Sequence, residues 1–139
     1  MTTARRGVAL AALVFLGLGL PPGRAELSPH FDPATMMLPS EVTRGMKAQC
    51  RTVFRGTDIT EFNIELISVL PKANLGGDLI IFRALDGPLV ERGAGILQGM
   101  SGSPVYVDGR LLGAVSRTFG GSKEPLGMML TLLNLQKSV

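Results

Sequence analysis

Alternating apolar and polar residues in the segment 62–70 restrict the fold of this chain more than any other feature. Phe62, Ile64 and Leu66 fall on one face of the segment, and Asn63 and Glu65 fall on the other. A period of two residues is that of a β-strand with one face in the core and one face toward solvent. One-sided burial of this kind is typical of antiparallel sheets.

A second β signal is the Asp108-Gly109 pair, which lies between two short apolar runs at residues 105–107 and 111–115. An Asp-Gly pair favours a two-residue hairpin turn, because both central positions of that turn need a positive φ. We therefore assign Asp108 to a turn and not to a catalytic acid.

The rest of the chain also favours strands over helices. Further strands are predicted at residues 51–54 and 78–84, with a loop at residues 72–77, while the apolar residues 126–133 fit either a strand or a helix. The 18 glycines of the chain fit short strands joined by tight turns. The sequence thus predicts an all-β fold, a mainly antiparallel β-barrel that closes as one unit over about residues 51–133.

The first 25 residues have the organisation of a secretory signal peptide. Arg5 and Arg6 precede an apolar run at residues 7–20, and the small residues Gly23 and Ala25 precede a predicted cleavage site. The run is shorter than the about 20 residues that a membrane-spanning helix needs. Cleavage after Ala25 would give a secreted or periplasmic chain with no stable membrane span, whereas an uncleaved anchor or a buried helix is the alternative.

Two segments follow the predicted signal peptide at residues 1–25. Residues 26–50 begin with a proline-rich stretch that has no clear period, and they are predicted to form an extended lead-in. Residues 51–139 are predicted to form the β domain.

Charge and cysteine content exclude several classes of function. The 14 Lys and Arg residues outnumber the 11 Asp and Glu residues only because Arg5, Arg6 and Arg24 lie in the signal segment. No basic patch for nucleic acid is therefore predicted. The single cysteine, Cys50, cannot form a disulfide within the chain, and it is interpreted as a small buried residue or as a reactive or dimer-forming thiol. One cysteine and one histidine cannot form a structural zinc site, so no metal or other cofactor is predicted.

The segment 95–104, GILQGMSGSP, is the strongest candidate for chemistry. A nucleophilic serine needs an exposed hydroxyl on a rigid turn, and Gly99 and Gly102 let the chain turn tightly around Ser101. Pro104 would then begin the next strand. From spacing alone, an ordinary glycine-rich turn between strands remains the alternative.

These residues, together with the following VYVDGRLLGAV at 105–115, resemble the signature of the SpoIVB-type serine peptidase family, whose members are similar to chymotrypsin-like proteases around the serine. The resemblance runs from about residue 38 to residue 129 and is most specific over residues 93–115. It implies a trypsin-like antiparallel barrel, either one barrel or part of a double barrel, that acts on a protein or peptide substrate. The match fades after Met129, which implies a truncated or diverged member.

The resemblance also implies roles for individual residues. Ser101 would be the nucleophile, and the N–H groups of Gly99 and Ser101 would form the oxyanion hole. Asp86, 15 residues before Ser101, resembles the aspartate that orients a catalytic histidine, although Asp-Gly-Pro is also ordinary turn chemistry. The glycine-flanked histidine motif of the family is missing. His30, the only histidine, precedes Asp86 and Ser101 but lies in the lead-in, outside any motif of a catalytic base.

Three functional hypotheses follow from the sequence. The first is an exported serine endopeptidase, or a part of one. The second is a binding or regulatory module that has the protease-like fold without catalysis, because a serine without a neighbouring base is a poor nucleophile. The third is a structural β domain that a partner completes, which an exposed apolar rim would favour.

Overall fold

The computed structural model describes residues 30–74, 77–120 and 122–132, and the predicted signal peptide at residues 1–25 lies outside this part. The described residues are nearly all β. The strands are β1 (Lys47–Arg55), β2 (Asp58–Asn74), β3 (Gly77–Ala84), β4 (Pro104–Val107), β5 (Arg110–Thr118) and β6 (Leu126–Thr131). The helices are a 3-10 turn at Pro39–Glu41, the short α1 (Gly87–Glu91) and a 3-10 turn at Gln98–Met100.

The six strands close into one barrel in the order β1-β2-β3-β6-β5-β4. Every neighbouring pair is antiparallel, and the closing pair of β1 and β4 is held by the registered partners Gln49 with Tyr106 and Cys50 with Val105. The predicted all-β antiparallel barrel is therefore confirmed. Closure leaves the sheet without a long free edge.

The alternation of β2 sets the inside and outside of the barrel. Phe62, Ile64 and Leu66 are buried as the pattern predicts. β1 alternates between buried and exposed residues in the same way, and this alternation brings Cys50 into the core. Burial raises the pKa of the Cys50 thiol to about 12. Cys50 is thus a small buried residue, as the first of the two sequence interpretations proposed.

The hairpin between β4 and β5 turns at the predicted residues. Asp108 and Gly109 have φ angles of 48° and 79°, so both central positions are left-handed, as a two-residue turn of this kind requires. The turn assignment of Asp108 is confirmed.

Other boundaries differ from the sequence predictions. β1 begins at Lys47, inside the segment assigned to the lead-in, because Ala48 already points into the core. The loop predicted at residues 72–77 is mostly strand, since β2 continues to Asn74 and β3 begins at Gly77. The ambiguous residues 126–133 form a strand as far as Thr131.

Residues 35–46 cover one end of the barrel. Met36 forms an isolated parallel bridge with Leu111, and the N–H of Met37 donates to the Leu111 carbonyl at 3.0 Å. The Arg110 guanidinium donates to one carboxylate oxygen of Glu41 through both terminal nitrogens, each at 3.0 Å. This part of the lead-in therefore packs on the barrel and does not run free of it.

Residues 85–103 cover the opposite end and connect β3 to β4, which lie opposite each other in the strand order. Within this segment, the side chains of Leu89 of α1, Ile96 and Met100 are buried and belong to the core. The candidate serine follows Met100 directly, so the packing of this end cover determines its position.

Candidate functional site

Ser101 lies on an exposed turn at the end of the 3-10 turn Gln98–Met100. Its hydroxyl donates to the Ser116 carbonyl of β5 at 3.3 Å. The N–H of Gly102 donates to the Val115 carbonyl at 2.7 Å, and the N–H of Val115 donates to the Ser103 carbonyl at 2.9 Å. These bonds hold both residues that follow Ser101 against β5.

A buried pair of hydroxyls anchors the same turn to a second strand. The Ser103 hydroxyl donates to the Thr52 hydroxyl of β1 at 2.7 Å, and both side chains are buried. Gly102 has a φ of +87°, a left-handed conformation that glycine adopts at little cost. The Ser101 hydroxyl therefore sits on a turn that is fixed from two sides.

The expected oxyanion donors are not both free in this structure. The N–H of Ser101 donates to the Gln98 carbonyl at 3.5 Å, and the N–H of Met100 donates to the Leu97 carbonyl at 3.1 Å. The Gln98 carbonyl thus occupies the position from which an oxyanion would accept the Ser101 hydrogen bond. Rotation of the Gln98–Gly99 peptide would release this N–H, and Gly99 has no Cβ to oppose such a rotation.

Asp86 is bound to the opposite wall of the barrel. Its carboxylate accepts a hydrogen bond from the Asn63 backbone N–H at 2.7 Å and another from the Asn63 side-chain amide at 2.6 Å. Asn63 lies on β2, which is opposite β5 in the ring of strands. Asp86 and Ser101 thus lie in the same end segment, but their side chains have different partners, Asn63 of β2 for Asp86 and Ser116 of β5 for Ser101.

The residues that follow His30 lie at the other end of the barrel. They reach β5 at Arg110, whose guanidinium donates to the Pro33 carbonyl at 3.5 Å. Ser101 contacts β5 at Ser116, near the end of that strand. The segment that carries the only histidine of the sequence thus meets β5 at the end away from Ser101.

A groove of about 510 Å³ opens beside Ser101. Among its lining residues, Val53 of β1 and Ile59 of β2 are cross-strand partners that remain 46% and 72% exposed. The Arg51 guanidinium lies 4.6 Å from the centre of the Tyr106 ring at the same groove. The full lining is Arg51, Thr52, Val53, Ile59, Gly99, Ser101, Gly102, Ser103, Pro104 and Tyr106.

Sequence reasoning missed this groove, although a signal for it exists. Val53 follows Thr52, which points inward, so the alternation of β1 assigns Val53 to the solvent side. An aliphatic residue at an outward strand position could have indicated a binding surface, but its place beside Ser101 was not readable from the sequence.

Two further structural findings bear on function. Within residues 30–74, 77–120 and 122–132, no three His, Cys, Asp or Glu side chains are grouped so as to hold a metal ion. In the same ranges, no helix has the length and apolar character needed to cross a membrane.

Comparisons with known proteins agree with the barrel. Residues 24–127 match the family model described as SpoIVB peptidase S55. Two crystal structures of the Rv3671c protease from M. tuberculosis, both described as inactive forms and one a serine-to-alanine mutant, match with TM-scores of 0.54 and 0.53 at 18% and 20% identity. Each match covers 78% of this chain but only 53% and 55% of the other chain, so this chain spans about half their length. No curated protein matches the chain significantly.

Proposed function

Since the chain belongs to the SpoIVB peptidase S55 family, we propose that it is an exported serine-endopeptidase-like protein whose barrel presents Ser101 as the nucleophile to a protein or peptide substrate. The observation that carries the proposal is the exposed Ser101 hydroxyl on a turn that is hydrogen-bonded to both β1 and β5. Export is proposed from the signal-peptide pattern of residues 1–25.

Catalysis by this barrel alone is expected to be slow. A serine hydroxyl needs an adjacent base to act as a strong nucleophile, and the hydroxyl of Ser101 donates to a backbone carbonyl instead. A lysine or a partner chain would have to supply the base. Residual acceleration of about 10³–10⁴ over water would be compatible with substrate binding and oxyanion stabilisation alone.

Asp86 is proposed to orient such a base only after a change of partners. Its carboxylate would have to give up two charge-assisted hydrogen bonds to Asn63. Hydrogen bonds to a charged group contribute about 1.5–3 kcal/mol each, so the arriving base would have to offset that loss. Without this change, Asp86 anchors the end cover to β2.

A binding or regulatory module without catalysis is the second candidate. The observation that favours it is the hydrogen bond from the Ser101 N–H to the Gln98 carbonyl, which leaves the oxyanion hole unformed. In this case the groove would hold a peptide that is not cleaved.

The test is covalent labelling with a fluorophosphonate probe, together with turnover of peptide substrates. We expect slow labelling of the wild type, none of Ser101→Ala, and wild-type labelling of His30→Ala. Ser68→Ala is the matched control, because Ser68 is an exposed serine on β2. Loss of labelling in both Ser101→Ala and His30→Ala would identify His30 as the base. A folded wild type that never labels would overturn the peptidase proposal in favour of the binding module.

A further inference from the structure

The groove beside Ser101 combines the candidate nucleophile with an aliphatic wall. Gly99, Ser101 and Gly102 form one side of it, and the cross-strand pair of Val53 and Ile59 lies on another. A Cβ built on Gly99 or Gly102 meets no atom within 4 Å, so the backbone next to Ser101 is open to an incoming chain. A peptide whose carbonyl lies at Ser101 would therefore pass over the aliphatic pair.

The charged residue in the groove does not favour an acidic ligand. Arg51 already has partners within the chain, since its Nε lies 2.6 Å from a carboxylate oxygen of Glu61 and its guanidinium lies over the Tyr106 ring. Ser103 and Thr52 are buried and hydrogen-bonded to each other. Among the remaining lining residues, the most exposed large side chains are the aliphatic Val53 and Ile59.

The size of the aliphatic wall distinguishes a side-chain site from a domain interface. A groove of about 510 Å³ is in the range of ligand clefts. A stable protein–protein interface buries about 800 Å² on each partner, far more than two aliphatic side chains supply. The patch is also continuous with the turn of the proposed nucleophile.

We propose that Val53 and Ile59 form a specificity site that accepts a large aliphatic side chain of a peptide, next to the carbonyl that lies at Ser101. This inference rests on the proposed function and deepens it. The expected substrates are peptides with a leucine- or isoleucine-sized residue beside the scissile bond. Removal of that side chain from water against the two aliphatic residues provides the selectivity.

The chain contains its own reporter for this site. It has one tyrosine and no tryptophan, and that tyrosine, Tyr106, lines the groove. Tyrosine emission of the folded protein therefore reports on the surface around Tyr106, which includes this groove and a neighbouring pocket at Gln49 and Asp108. The Ile59→Ser variant distinguishes the two, because Ile59 lines the groove and not that pocket. The experiment titrates Ser101→Ala protein with capped tetrapeptides Ala-Ala-Leu-Ala, Ala-Ala-Ser-Ala and Ala-Ala-Glu-Ala, so that binding is measured without cleavage.

We expect the leucine peptide to bind about tenfold more tightly than the serine peptide, as is typical of apolar pockets. Ile59→Ser should remove most of this preference. Leu70→Ser is the matched control, because Leu70 lies on the same strand, is 36% exposed and does not line the groove. Circular dichroism of each variant confirms its fold.

Several outcomes would overturn the inference. The first is equal binding of the leucine and serine peptides, and the second is a preference for the leucine peptide that survives Ile59→Ser. The third is Tyr106 emission that changes with protein concentration in the absence of peptide, if Ile59→Ser abolishes that change. The last result would show that a second copy of the chain occupies the groove. The peptide-binding test and the labelling test are independent. Failure of the specificity site in the binding test would leave fluorophosphonate labelling of Ser101 unaffected. Selective peptide binding by a protein that is never labelled would support the specificity site and overturn the peptidase proposal.

Discussion

At the residue scale, the site depends on two glycines that differ in backbone conformation. Gly102 is left-handed, at a φ of +87°, whereas Gly99 lies outside the left-handed region, and neither has a neighbour where a Cβ would stand. Conformation and not space therefore distinguishes them. The sequence pattern treats both as turn residues, because φ values are not readable from spacing alone.

Gly102→Ala is expected to destabilise the fold by about 1–2 kcal/mol, because alanine disfavours the left-handed region. Gly99→Ala should change stability by less than about 1 kcal/mol and serves as the matched control. The measurement is urea unfolding followed by circular dichroism. Equal destabilisation by the two substitutions would contradict the conformational explanation.

At the element scale, the strands are readable from the sequence and their partners are not. Alternation identified the buried face of β2 because each inward residue is apolar. The extension of β2 to Asn74 was missed, since the exposed residues before it carry no alternating apolar pattern. The spacing of Asp86 from Ser101 could not indicate which wall each residue would contact. That choice depends on how residues 85–103 cross the barrel.

Asp86 is one anchor of this crossing segment to β2, beside the hydrogen bond from the Leu85 N–H to the Asn63 carbonyl at 2.8 Å. Asp86→Ala is expected to destabilise the protein by about 1.5–3 kcal/mol, because the Asn63 N–H and amide lose a charged acceptor. The loss is smaller than the sum of two such bonds, since Asp86 is exposed and water can replace the carboxylate. Asp32→Ala provides the comparison, since the Asp32 carboxylate also accepts a backbone and a side-chain hydrogen bond but lies in the exposed lead-in. Chemical unfolding measures both, and a smaller effect for Asp86→Ala than for Asp32→Ala would contradict the anchoring role.

At the scale of the whole molecule, the barrel is covered at both ends, and the two covers differ in what holds them. The cover at residues 85–103 inserts apolar side chains into the core. The cover at residues 35–46 also inserts Met37, but it adds the charged pair of Glu41 and Arg110 at its surface. This ion pair should make the 35–46 cover sensitive to pH.

Glu41 should make the free energy of unfolding depend on pH in the acid range. The Leu38 backbone N–H and then the Arg110 guanidinium lower the pKa of Glu41 below its ordinary value. A carboxyl whose folded pKa is lowered stabilises the fold above its unfolded pKa of about 4.3, and this contribution is lost as the pH falls through the folded pKa. We expect Glu41→Gln to be less stable than the wild type at neutral pH.

The stability difference between Glu41→Gln and the wild type should shrink in acid, because protonated Glu41 is also neutral. Unfolding curves of both proteins across the acid range measure it. Glu61→Gln is the control for loss of a carboxylate, since Glu61 pairs with Arg51 away from this cover. A difference that stays constant from neutral to acid pH would show that Glu41 acts through packing and not through its charge.

The closure of the barrel between β1 and β4 has a consequence for how the molecule opens. Only two registered residue pairs join these strands, and Cys50 belongs to one of them. Burial keeps reagents from its thiol and raises the pKa of that thiol to about 12, so alkylation requires that the two strands separate or that the whole barrel unfolds. The alkylation rate of Cys50 at neutral pH therefore measures an opening equilibrium. If the rate hardly responds to low concentrations of urea, the strands part locally, and if it rises in proportion to the global unfolding constant, the ring opens only as a whole.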